Sequence, residues 1–250
     1  MKKATLLMFS MILSISMFSQ IPPIVEVTEF EVKDQNKAFE LMNTWKDLEK
    51  SMVVNAPRIF LLSEMDGNTI YFCRAFNTMD EVTEYRKSRW GENGWNAKVN
   101  QKWREKVGDN AWAGTGANVV MNHVYRMRMD LSYIPEGTNL SEELPNNLYR
   151  RHVNIDVDWG KRNEFIANFK KGIENDKKLN NDYIRFMFQT MYGGEDGAEF
   201  MMVVLGESRA SYFKDLEERN KKRQNDPDWN RIQAEPIATW VSEQSLMITY

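Results

Sequence analysis

The stretch Tyr149-Arg150-Arg151-His152-Val153-Asn154-Ile155-Asp156-Val157 decides how this chain is read. Arg150, His152, Asn154 and Asp156 alternate with Tyr149, Arg151, Val153, Ile155 and Val157. Successive side chains of a strand point to opposite faces. The stretch is therefore a strand with one face for packing on helices and one polar face turned to an interior or to solvent. Asp158 follows as a helix N-cap, and Phe165, Phe169 and Ile173 recur at helical spacing. Two strands, 183–192 and 199–205, flank the turn residues Gly193, Gly194, Glu195, Asp196 and Gly197. A helix over 208–224, with Tyr212, Phe213 and Leu216 inward, and a closing strand over 237–250 complete the series.

The same order of strand, helix, hairpin, helix and strand stands upstream. Val25, Val27, Phe30 and Val32 mark a first strand, and Asp34 caps a helix that buries Ala38, Leu41, Met42, Trp45, Leu48 and Met52. Asn55-Ala56-Pro57 ends it, and strands over 58–65 and 69–76 flank Asp66-Gly67-Asn68. Thr78-Met79-Asp80-Glu81 is a capping box. A further helical piece reaches about Val107, and 118–131 is the closing strand. Arg89 stands six residues before Trp95-Asn96, and Arg223 six before Trp229-Asn230. The chain reads as a duplication: unit 1 over 21–131, a Pro- and Gly-containing linker over 132–147, and unit 2 over 148–250.

The order βαββαβ is the ferredoxin-like plan, an antiparallel sheet with both helices on one face. The bare face needs a second sheet. The expected fold class is α+β: two tandem ferredoxin-like units packed sheet against sheet, an intrachain pseudo-dimeric α/β barrel. In this element order the chain resembles the dimeric α/β-barrel superfamily, which includes antibiotic-biosynthesis-monooxygenase-like, EthD-like, NIPSNAP-like and chlorite-dismutase-like domains. The resemblance implies a ligand or haem cavity between the bare sheet face and the helices or loops. It rests on order and not on a motif, so it carries no catalytic residue to this chain.

The N-terminus sets an expected compartment. Lys2 and Lys3 precede an uncharged, mostly apolar run from Ala4 to Phe18, the pattern of an export signal over 1–19 with cleavage between 16 and 20. The run is short for a membrane span of about 20 residues. A periplasmic or secreted location is expected, with no membrane association once the signal is removed. A formal net charge of −3 gives no electrostatic argument for nucleic acid. The single cysteine, Cys73, lies in an apolar strand with no basic cluster beside it, so it reads as a small core residue.

The polar face of 149–157 is the expected ligand surface, through Arg150, His152, Asn154 and Asp156, joined by Arg185 and Gln189 if their strand turns the same way. His123, on one strand face with Met121, Tyr125, Met127 and Met129, reads as a satisfied core histidine. With two histidines on separate strands and one cysteine, no dedicated metal or haem site is expected, and no cofactor. The expected function is binding of a small, partly apolar molecule in a barrel cavity. The alternatives are a structural or interaction module, and a cofactor-independent oxygenase or isomerase using His152, Asp156 or His123 as its base.

Overall fold

The period-two pattern of each strand builds a sheet with two different faces. In the computed structural model, which describes residues 22–91, 93–193, 198–232 and 237–250, that sheet closes on itself. Residues 1–19, read above as an export signal, and the turn residues 194–197 lie outside the described residues.

The elements are β1 (Ile24–Glu31), α1 (Gln35–Met52), β2 (Arg58–Glu64), β3 (Thr69–Phe76), α2 (Met79–Arg89), α3 (Trp95–Val107), β4 (Asn118–Met127), α4 (Leu140–Asn146), β5 (Tyr149–Val157), α5 (Arg162–Lys178), β6 (Arg185–Tyr192), β7 (Phe200–Gly206), α6 (Arg209–Gln224), α7 (Pro227–Ile232) and β8 (Ala238–Thr249). The strands run β1-β3-β2-β8-β5-β7-β6-β4 and back to β1, every pair antiparallel.

This corrects the expectation of two tandem ferredoxin-like units facing each other sheet to sheet. The wall is one closed eight-stranded barrel: β2 of the first half pairs with β8, and β4 pairs with β6. The reason is the strand edge. A four-stranded sheet presents two rows of unpaired N–H and C=O groups. Pairing the edge strands of one half with those of the other satisfies both rows at once, and only closure does so.

The two faces then have separate cores. Inward side chains form one cluster, including Val25, Val27, Tyr71, Cys73, Tyr125, Phe186, Phe188, Val203 and Ile248. Outward ones meet the helices. Ile24, Leu41, Phe76, Val99 and Trp103 pack in the first half; Val153, Ile155, Phe165 and Phe200 pack in the second. The caps Asp34, accepting from Lys37 N at 3.0 Å, and Thr78, accepting from Glu81 N at 3.1 Å, start α1 and α2 as the sequence indicates. Asp158 does not cap α5. Its carbonyl accepts from Lys161 N in a turn through Gly160, whose φ of +76° suits glycine, and the helix starts later, at Arg162. The connecting segment is anchored: Tyr133 and Arg185 exchange backbone hydrogen bonds of 2.7 and 2.8 Å, and α4 lies across one end of the barrel with Leu144 against the lumen. Among the described residues, no helix is long and apolar enough to cross a membrane.

Candidate ligand cavity

The lumen is not filled. It holds a cavity of about 130 Å³, partly open to solvent. A closed apolar cavity of roughly 150 Å³ accepts benzene, so this space suits a single ring. Most of the wall is apolar: Val25, Val27, Leu62, Phe186, Phe188, Met201, Val203 and Ile248.

The polar contribution comes chiefly from one strand. β5 turns Arg150, His152 and Asn154 into the cavity, while Val153, Ile155 and Val157 pack on the helix side. On the neighbouring β8, Gln244 stands opposite His152 and Ser242 opposite Asn154. Gln244 donates to the Tyr71 hydroxyl at 2.6 Å, and Asn154 donates to Ser242 Oγ at 2.9 Å. Arg150 lies at the end covered by α4. Its guanidinium donates to the carbonyls of Asn147, Tyr149 (2.9 Å) and Leu144 (3.4 Å) and to the Tyr250 hydroxyl at 3.0 Å.

His152 is 8% exposed. Burial first, and then the positive charge of Arg150, push its pKa down to about 3. The ring is thus neutral at ordinary pH, able to donate from one nitrogen and accept at the other. So weak a base is poorly matched to proton abstraction near neutral pH, where a useful base titrates close to the working pH. Cys73 also faces the cavity, but burial pushes its thiol up, which keeps it protonated and unreactive.

Three of the other sequence-selected residues, Asp156, Arg185 and Gln189, lie elsewhere. Asp156 is exposed and lines no part of the cavity; it pairs with Thr239 beyond a bulge that shifts the β5–β8 register after Asn154. Arg185 and Gln189 share the outer face of β6, because Phe186 and Phe188 take the inner one. Arg185 sits 3.6 Å from Asp176 and over the Phe169 ring, and Gln189 accepts from Arg128 at 3.0 Å. His123 lines the cavity and also meets Glu29, Nε2 to Oε2 at 2.9 Å, its ring stacked on Tyr125. Sequence reasoning left Gln244, Tyr71, Arg58 and Tyr250 unread. The alternation of Ser242, Gln244, Leu246 and Ile248 with Glu243, Ser245, Met247 and Thr249 held the signal for the first.

The haem that the resemblance brings with it does not fit this lumen. The Nε2 of His123 is engaged by Glu29, His152 stands beside the Arg150 cation, and the space suits one ring and not a macrocycle. Among the described residues no group of three or more His, Cys, Asp or Glu side chains is placed to hold a metal ion.

No family model matches the sequence, and no curated protein is detectably similar. Similarity appears among solved structures. A "putative monooxygenase" from Lactobacillus acidophilus NCFM superposes with a TM-score of 0.54 at 10% identity, over 91% of this chain and 94% of that one. An anthrone oxidase-like protein gives 0.53 at 9% identity, over 91% and 92%. A "putative chlorite dismutase" gives 0.50 at 8% identity, over 92% and 96%. These neighbours are members of the dimeric α/β-barrel superfamily. At such identities the likeness concerns the fold.

Proposed function

We propose that this protein binds a small, partly apolar molecule inside the barrel, held by the inward face of β5 through Arg150, His152 and Asn154. The observation that carries the reading is the open lumen itself. An apolar wall with a few convergent polar groups is the ordinary form of a small-molecule site. The structural-module alternative calls for a lumen packed with side chains, and the cavity speaks against it. The neutral His152 and protonated Cys73 favour binding over cofactor-independent catalysis. Export to a periplasmic or secreted location is part of the proposal. It rests on the basic and apolar residues of 2–18 and is tested by N-terminal sequencing of the protein recovered outside the cytoplasm.

The test of binding is a calorimetric titration with single-ring molecules, neutral and charged. Saturable one-to-one binding is expected, lost in Val203→Phe, which fills the lumen from its wall. Absence of binding by every probe, or binding indifferent to Val203→Phe in a folded variant, overturns the proposal.

A further inference from the structure

Arg150 is 4% exposed, and its guanidinium carries a full charge at any pH the protein meets. Its acceptors are three main-chain carbonyls and the hydroxyl of Tyr250. These are dipoles that fix its position; none is an anion. The residues lining the cavity include no aspartate and no glutamate. Glu29 meets the lining through His123, not through Arg150.

His152, the next inward residue of β5, does not supply the missing charge. Arg58 lines the same cavity, and its guanidinium stands 5.3 Å from the ring centre of Tyr250, whose hydroxyl accepts a hydrogen bond from Arg150. The rest of the wall is apolar or dipolar. A cation in such a setting attracts an anion far more strongly than it would in water, because the local dielectric is low.

Resting on the cavity-binding reading above, we infer that the ligand is a small apolar carboxylate: a single ring against Phe186, Phe188 and Val203, with its anionic oxygens turned toward Arg150. Gln244, Asn154 and the neutral imidazole of His152 line the same cavity and offer hydrogen bonds without adding charge.

The experiment compares benzoate with its neutral isostere benzamide by calorimetry at neutral pH on the wild-type protein. Benzoate is expected to bind at least tenfold more tightly. Arg150→Gln should bring the two affinities together, while Arg150→Lys should keep the preference. Equal wild-type affinities overturn the carboxylate inference and leave the cavity reading standing. Failure of both probes to bind overturns the carboxylate inference, and the cavity reading falls with it only if every other single-ring probe fails as well. A preference that survives in Arg150→Gln overturns the assignment to Arg150. Should Arg150→Gln not fold, the wild-type ratio and the Arg150→Lys result decide the question.

Discussion

Glu49 on α1 and Asp176 on α5 stand at the same place in the two halves, each fourteen residues after the first residue of its helix (35 to 49, 162 to 176). Both are fully buried on the helix side of the barrel wall. Their partners differ. Glu49 accepts from Arg74 of β3 at 2.6 and 2.8 Å, from the Tyr85 hydroxyl and from Trp45 at 2.8 Å. Asp176 accepts from Arg223 of α6 at 3.0 and 2.7 Å, from Tyr183 at 2.6 Å and from Asn181 at 2.7 Å, with Arg185 at 3.6 Å. The guanidinium that donates to the acid comes from the sheet in the first half and from a helix in the second. The acid keeps its place while the source of its cation changes. The inner faces diverge in the same way: β1 aims Val25 and Val27 into the lumen, where β5 aims Arg150 and His152. One half supplies mainly wall, and the other supplies most of the polar site.

Removing the acid from one pair and the guanidinium from the other breaks that comparison unequally. Asp176→Asn leaves Arg223 and Arg185 buried without their counter-charge, and a guanidinium cannot shed its proton. Breaking a buried pair in this way costs about 3–5 kcal/mol; a urea melt of Asp176→Asn should show a loss at the upper end of that range. Arg74→Met should lose less, nearer about 3 kcal/mol, because the stranded Glu49 can take up a proton. Burial works to raise the Glu49 pKa, and the hydrogen bonds and charge of Arg74, with Tyr85 and Trp45, outweigh it, so the group sits below the usual carboxylate value. Without Arg74 that balance reverses. Equal losses in the two variants would show that the halves are energetically equivalent.

A smaller effect separates the inner face from the outer. The folded protein holds His152 neutral to about pH 3, while the unfolded chain protonates it near 6.5. The unfolded state therefore binds more protons between these values, and stability falls as pH drops below about 6.5. Glu49 adds a loss in the same direction only below its ordinary value of 4.5. Unfolding free energies measured from pH 6.5 to 5 should decline in wild type and decline less in His152→Gln. An unchanged slope in the variant would mean that the ring is not buried as a neutral group.

Much of this was legible in the residues. The alternation of 149–157 placed Arg150, His152 and Asn154 on one face, and the caps at Asp34 and Thr78 marked helix starts where the structure has them. Closure was not legible, because which edge pairs with which is decided by long-range hydrogen bonding that leaves no local pattern. The phase of β6 misled for a related reason. Arg185 and Gln189 read as polar and therefore inward, yet Arg185 is drawn outward to Asp176 and the Phe169 ring. Asp156 keeps the face of Asn154, since Ile155 and Val157 pack on the helix side, but it stands at the end of the strand, exposed and beyond the cavity, and strand period carries no information about that depth.

The central claim is that the barrel holds a ligand space served by the inner face of β5. The most direct measurement is a crystal structure of the protein grown with the tightest-binding single-ring probe. The account predicts density for the ring inside the lumen, against Phe186, Phe188 and Val203 and within hydrogen-bonding reach of Arg150 or His152. A lumen closed by its own side chains, with the probe bound on the outer surface, would contradict it.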